Sequence, residues 1–250
     1  MTASGARVLH FAETDSTNAE AARLAAGGAE APLWVVAGRQ TAGRARRGRT
    51  WSPTEGALYA SLLTRPGATA EGAALASFAA ALAVGDLVAT LAPGAGIAFK
   101  WPNDVLMEGA KIAGILLESS GRGAAVDWLV IGIGVNLVAA PDAAEIRPGG
   151  ATPGAIAALG GRRATPGEAL AILDAALDRH LDRLAREGFA PIRRDWLARA
   201  ARLGQTIGAG LATGRLDGVF EDVDLNGAVV LRTPDGARRV IAAADIYFPR

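Results

Sequence analysis

Lys111-Ile-Ala-Gly-Ile-Leu-Leu-Glu118 and Asp127-Trp-Leu-Val-Ile-Gly-Ile-Gly-Val-Asn-Leu137 organise the reading of this chain. Both runs are β-rich, and the Gly121/Gly123 stretch between them supplies a turn, so together they read as a hairpin. Glycine inside a strand marks close approach of another backbone or a ligand, and Gly132 and Gly134 sit in the second run. Upstream, Ile97–Trp101 is a strand stopped by Pro102, and an Ala-rich helix spans about Glu71 to Leu91 with Leu75, Phe78 and Leu82 on one face. Ala57–Leu63 and Leu33–Ala37 read as strands. Asp15–Ala26 reads as a helix, with Thr17 and Glu20 as a capping box and Gly27-Gly28 as its stop.

Downstream, Ala139–Arg163 is a long Pro- and Gly-rich connection. Thr165-Pro-Gly-Glu168 then opens a helix, with an N-cap and proline at its first position. Leu170, Leu173, Leu177, Leu181 and Leu184 form its core face, and a further helix covers Pro191–Ala201. From Gly204 the pattern changes to short β-rich runs separated by Asn226-Gly227 and Asp235-Gly236, both strong hairpin signals. The expectation is a main domain, 1–203, and a small β-barrel or meander, 204–250.

Composition narrows the chemistry. The chain has 250 residues, half of them hydrophobic, and a formal net charge of +1, which argues against a general polyanion binder. It has no cysteine, and its two histidines, His10 and His180, lack metal-ligand spacing. Its longest uncharged runs, such as Trp128–Pro141, are about 14 residues, short for a membrane helix, and no signal peptide is visible, so the expected location is the cytoplasm. There is no P-loop, and Leu137 stands where a dinucleotide fingerprint beginning at Gly132-Ile-Gly134 needs its third glycine.

Gly38-Arg-Gln-Thr-Ala-Gly-Arg-Ala-Arg-Arg-Gly-Arg-Thr-Trp51 packs five cations and three glycines into fourteen residues with no acid and no hydrophobic period, so it reads as a loop over Gly38–Thr50. Glycines let backbone N–H groups turn inward, and arginine forks match carboxylate or phosphate oxygens. The loop suits a ligand bearing both a carboxylate and phosphates. A solvated basic surface and an RNA-binding Gly/Arg segment are the competing readings. Such segments usually repeat, and this one occurs once, inside a compact domain.

Of 26 basic residues only Lys100 and Lys111 are lysine. Lysine is a compact, rotatable charge that arginine does not imitate at a tight site. Lys111 opens an apolar strand and needs a partner there, either an anionic ligand or an acid such as Asp104. For Lys111 a functional role is expected; for Lys100, a structural ion pair. Asp104 is open to roles as base, metal ligand or structural partner.

The ordered set Asp15-Ser-Thr-Asn18, Gly38 to Trp51, Lys100-Trp-Pro-Asn-Asp104, Lys111 to Glu118 and Ile131-Gly-Ile-Gly-Val-Asn-Leu137 resembles the biotin–protein ligases. Any one motif is weak, but five in this order are specific, and the C-terminal β-module is similar to that family's SH3-like domain. The resemblance implies an α+β fold, a mixed sheet with flanking helices like that of class II aminoacyl-tRNA synthetases, plus the small SH3-like barrel. It implies that biotin and ATP give biotinyl-5′-AMP and pyrophosphate, and that biotin passes to a lysine of a biotin carboxyl carrier domain.

Carried over residue by residue, the resemblance makes Lys111, Arg46 and Asp104 catalytic. Ser16, Thr17, Asn18, Gln40, Gly43, Arg44, Ala45, Arg46, Lys111, Gly114, Gly132 and Gly134 would bind biotin. Arg46, Arg49, Trp51, Asn103, Lys111 and Asn136 would bind ATP, with Asn103 or Asp104 assisting Mg²⁺ and no full ligand set assigned. Ser16 and Thr17 also suit helix capping. Ala45 replaces a glycine common in relatives. Fifteen residues precede Ser16, no room for the helix-turn-helix of bifunctional relatives, so the expectation is no DNA partner and no membrane. A homodimer through an exposed edge of the Lys111–Leu137 hairpin stays open. The rival activity is lipoate or octanoate ligation, which shares the adenylate logic without needing a ureido site.

Overall fold

The computed structural model describes residues 2–121, 125–142, 151–211 and 214–248. The first part runs β1 (Arg7–Thr14), α1 (Thr17–Ala26), β2 (Leu33–Gln40), β3 (Leu58–Thr64), α2 (Ala70–Ala74), α3 (Ala76–Leu91), β4 (Ile97–Lys100), β5 (Asp104–Met107), β6 (Ala110–Ser120), β7 (Trp128–Val135), α4 (Pro166–Glu187) and α5 (Phe189–Leu197). These strands form a seven-stranded sheet in the order β1-β2-β3-β7-β6-β5-β4. β1 and β2 are parallel, joined through α1, and every other neighbouring pair is antiparallel. A second, antiparallel sheet follows, from β8 (Thr206–Leu211), β9 (Gly214–Val223), β10 (Val229–Arg232), β11 (Arg238–Ile241) and β12 (Asp245–Tyr247), in the order β11-β10-β9-β8-β12. The expected α+β architecture and C-terminal β-module are both present. Gly227 and Gly236 take φ of +82° in the turns before β10 and β11, as the Asn-Gly and Asp-Gly pairs predict.

Strand alternation divides the large sheet into two different faces. Trp34, Val36, Leu58, Ala60, Leu62, Leu129, Ile131 and Ile133 point into the main core with α3, α4 and α5. Phe78, Leu82, Leu87 and Leu91 of α3 are buried there, each contributing roughly 2 kcal/mol by removal of apolar surface from water. On the other face Leu33, Val35, Leu63 and Val130 pack with Ala21 and Ala25 of α1. Helix α1 has ten residues and covers only part of that face. The uncovered part is where the polar and glycine residues of β3, β6 and β7 lie.

Several expectations change. The cap of α1 is Ser16, whose Oγ accepts from Ala19 N, so Thr17 is the first helical residue and the Thr17–Glu20 box does not form. The equivalent box at Thr165 and Glu168 does form. β2 runs on to Gln40, so the loop begins later than Gly38. β1 and β5 were not expected. β1 is a largely exposed edge, and β5 has four residues directly after Pro102. The helix over 71–91 is divided at Leu75. By length and composition Ala70–Leu91 is long and apolar enough to cross a membrane, although Glu71 and Asp86 keep its uncharged run short. Here it is the main core helix.

The predicted hairpin is present as β6 and β7, although Gly123 of its turn and residues 143–150 of the later connection lie outside the described residues. It is not a free edge along its length. β7 is enclosed by β3 and β6, and β5 pairs with β6 through Gly114, so only the end of β6 beyond that point runs past its neighbour.

Candidate active site

Three rows of residues cross the uncovered sheet face. Leu63, Val130 and Glu118 make the first, under the edge of α1; Ser61, Gly132 and Leu116 make the second; Tyr59, Gly134, Gly114 and Asp104 make the third. The first residues of α1 overhang the second row and the Arg-rich loop overhangs the third. Between them lies a narrow cleft of about 50 Å³, much of the space over its floor being taken by the Trp51 ring.

One wall of the cleft is a buried hydrogen-bond network. Thr17 N and Oγ1 both approach Gln40 Oε1, at 2.8 and 3.1 Å. Ser61 Oγ lies 2.6 Å from Asn18 Oδ1 and 2.8 Å from Thr17 Oγ1. An amide oxygen only accepts, so the Ser61 hydroxyl donates to Asn18. Asn18 Nδ2 donates to Glu118 Oε2 at 2.8 Å and to Leu116 O at 3.2 Å. Glu118 Oε1 then accepts from Arg44 Nη1 at 3.0 Å.

The glycines supply close approach. A Cβ on Gly132 would stand 1.9 Å from Asn18 Oδ1, and Cβ atoms on Gly114 and Gly134 would stand 2.6 and 2.8 Å from the Trp51 ring. Trp51 thus lies flat on the paired glycines of β6 and β7, with Lys111 Nζ 5.4 Å from its ring centroid. Its Nε1 is buried and has no hydrogen-bond partner among the described residues. Gly43 is buried beneath the loop rather than in the cleft, and a Cβ there would meet Trp51 O at 2.6 Å.

A β-bulge places Lys111. Asp104 pairs with Gly114 and Val105 with Ala113, but Leu106 pairs with Lys111, which leaves Ile112 as the extra residue. Strict alternation would put Lys111 and Gly114 on opposite faces. The bulge brings them to the same one and aims Lys111 into the cleft. Lys111 Nζ meets Asp104 Oδ1 at 2.6 Å, so the anticipated partner is the actual one.

Other cations near the cleft are less satisfied. Arg46 opens a short 3₁₀ turn and has no carboxylate within 4.0 Å among the described residues. Burial holds its guanidinium below its ordinary range, opposed by the field of Asp245. Contrary to expectation, Lys100 is in no ion pair among the described residues. It is 7% exposed, its Nζ stands 5.1 Å from the Phe248 ring centroid, and burial pulls its pKa down. A desolvated cation without a carboxylate is the environment an anionic ligand completes.

Arg47 and Arg49 point elsewhere, to Asp245 on β12, at 3.3 and 2.7 Å. Arg39 pairs with Glu13 at the surface. A second cleft, continuous with the first through Lys111, Trp51 and Asn103, lies between the arginine turn, Lys100–Asp104 and β12. Ser16, Thr17, Asn18, Gln40, Arg44, Ala45, Trp51, Asn103, Lys111, Gly114, Gly132 and Gly134 line the first cleft, and Arg46, Arg49 and Asp104 line the second. Asn136 lines neither. It is 2% exposed and its amide donates to Gly154 O, tying the 154–156 segment to β7. Ser61, Tyr59 and Glu118 were not anticipated as site residues. A lone serine inside the apolar run Ala57–Leu63 was the available signal for Ser61. Among the described residues no group of three His, Asp or Glu is placed to hold a metal.

Residues 10–136 match the model of the biotin/lipoate A/B protein ligase family, and residues 203–248 match the biotin protein ligase C-terminal domain. A biotin–[acetyl-CoA-carboxylase] ligase of Paracoccus denitrificans is 49% identical over 239 residues, covering 95% of this chain and 99% of that protein. The chain belongs to the biotin–protein ligases. A bifunctional ligase/repressor of Bacillus subtilis is 31% identical, over 96% of this chain and 73% of its own length. Among solved structures, an Aquifex aeolicus biotin protein ligase in complex with biotin and ATP has the same fold, with a TM-score of 0.78, 24% identity, and coverage of 98% of this chain and 99% of that one.

Proposed function

We propose that this ligase joins biotin to ATP, giving biotinyl-5′-AMP and pyrophosphate, and then passes biotin to a lysine of a biotin carboxyl carrier domain. One observation carries this reading. A buried polar network and a glycine floor meet, beside one sheet face, the cations Arg44, Arg46 and Lys111, of which Arg46 has no carboxylate partner among the described residues. The first suits a small polar ring, and the second suits a carboxylate beside phosphates.

Ser16, Thr17, Asn18 and Gln40 take the ureido ring, over Gly132 and with Gly43 and Ala45 shaping the loop backbone above it. In the first step a carboxylate oxygen attacks the α-phosphorus, the bond to the bridging oxygen breaks, and pyrophosphate leaves. Two anions meet, so Arg44, Arg46 and Lys111 act by neutralising charge in the transition state, each at about 2–4 kcal/mol. Trp51 borders the nucleotide over Gly114 and Gly134, with Asn103 toward its phosphates and Arg49 joining them on release from Asp245. Asn136 supports that wall from behind. Magnesium would be held here mainly by ATP phosphates and water, because the two carboxylates lining the second cleft, Asp104 and Asp245, are already paired with Lys111 and with Arg47 and Arg49. In the second step the acceptor amine attacks the acyl carbon, the bond from that carbon to the phosphate oxygen breaks, AMP leaves, and the amine's proton passes to a base and on to water. Asp104 steers or deprotonates that amine as Lys111 turns to the phosphate. The chain divides into a catalytic domain, 1–203, and an SH3-like domain, 204–250, supported by its two separate sheets. A cytoplasmic location accords with the need for ATP.

Intact-mass analysis of a carrier domain incubated with the ligase, ATP and biotin tests this. One biotinyl addition is expected, absent from a carrier whose acceptor lysine is replaced by arginine. No addition from biotin, with addition from lipoate, would transfer the assignment to lipoate ligation.

A further inference from the structure

Glu118 has no part in the chemistry above, yet it joins both halves of the cleft. One carboxylate oxygen receives the Asn18 amide at 2.8 Å and the other receives Arg44 at 3.0 Å. Granted the ligase reading, we propose that Glu118 is a positioning residue that sets which end of the Asn18 amide faces biotin.

An asparagine side chain presents a donor at one end and an acceptor at the other, and the surroundings choose between them. Two acceptors, Glu118 Oε2 and Leu116 O, hold the Nδ2 end of Asn18. The hydroxyl of Ser61 donates to the Oδ1 end, which lies directly over Gly132. Asn18 therefore offers an oxygen, and among the described residues only Ser61 donates to it. A carbonyl oxygen has two lone pairs. The second is available to an N–H of a ligand lying on the glycine floor. A urea carries such N–H groups at its ring nitrogens, and a dithiolane ring carries none. Glu118 thus acts through Asn18 to select for a ring N–H donor. Through Arg44 it ties the same preference to the position of the loop.

A carboxylate is suited to this task in a way its amide is not. Glu118→Gln keeps the shape but can donate to Asn18 Oδ1 and no longer attracts Arg44 by charge. The Nδ2 end of Asn18 then keeps only the longer bond to Leu116 O as an obligatory acceptor, and the amide orientation is less firmly set.

The experiment compares biotin with its two ureido N-methyl derivatives as substrates for pyrophosphate exchange into ATP. The unaltered ligase is expected to favour biotin over one derivative by at least about 100-fold in kcat/KM, as a buried acceptor left unpaired requires. In E118Q that ratio should fall below about 10-fold through a higher KM for biotin, while KM for ATP and melting temperature stay near their original values. Asn18→Ala should lower the same ratio, and adding E118Q to it should lower the ratio no further. An unchanged ratio in a folded E118Q, or independent losses in the double variant, would overturn the role of Glu118. Equal use of biotin and both derivatives by the unaltered ligase would overturn it without any variant. Absence of all biotin-dependent exchange would instead remove the ligase reading on which it rests.

Discussion

A methyl group on Gly132 would stand 1.9 Å from Asn18 Oδ1, so the missing side chain is the space that the amide occupies. Gly132→Ala therefore forces Asn18 off its partners while leaving the main core face of β7 alone. Losing a buried hydrogen bond at the ligand costs about 1–3 kcal/mol, and KM for biotin in the exchange assay should rise about 5- to 100-fold. The melting temperature should move little by comparison. Loss of folding with no change in KM in the folded fraction would contradict this. Gly132 was legible as a place of close approach because glycine is out of keeping in an apolar strand. Lys111 was legible because lysine is scarce in this chain. Glu118 was not, since a glutamate at the end of a strand has the appearance of a solvated terminus. Only the pairing of β6 with β7, and the position of α1 above them, reveal what its two oxygens touch.

At the level of elements, long strands and helices with strong patterns were read correctly from sequence. The Thr165–Glu168 box stands at the start of α4, and the central hairpin is β6 and β7. The errors occur where tertiary contacts outweigh local signals. Ser16 and Thr17 are equivalent cap candidates locally. Ser16 takes the cap because Thr17 is held by Gln40 from β2 and by Ser61 from β3, both remote in sequence. The bulge at Ile112 is likewise invisible in the run Lys111–Glu118, where alternation alone would aim Lys111 away from Gly114. β5 has four residues and exists as a partner for β4 and β6 rather than through its own pattern. The arginine loop was correctly read as irregular, but its cations divide in a way composition does not reveal. Arg44 turns to Glu118, Arg46 stays without a carboxylate, and Arg47 and Arg49 are held by Asp245 from the second sheet.

Across the whole molecule, carboxylates join segments that the sheet alone would not hold. Asp174 of α4 accepts from Ser4 N and Oγ and from Trp34 Nε1, at 2.9, 2.6 and 2.8 Å, fastening the N-terminal segment and β2 to the helical layer. Burial pushes its carboxyl up, but the hydrogen bonds outweigh burial and leave it below the ordinary range. A carboxyl depressed in the folded state stabilises above its unfolded pKa of about 4 and loses that contribution as pH falls through the folded value. Asp174→Asn should therefore cost about 1–3 kcal/mol at neutral pH, and the difference in melting temperature should close below about pH 4. A gap independent of pH would contradict that account. At the same scale, Asp245 couples the second sheet to the turn that presents Arg46, so the active cleft depends on both sheets.

The central claim is that the cations of the cleft serve a biotinyl-adenylate, with Lys111 exchanging its Asp104 partner for the phosphate. Exchange of labelled pyrophosphate into ATP tests it most directly, in the unaltered chain and in Lys111→Ala. Exchange should require biotin, fail with lipoate, and fall by about 100-fold or more in the variant, whose melting transition should remain cooperative. Exchange without biotin, exchange driven by lipoate instead, or undiminished exchange in folded Lys111→Ala would contradict it.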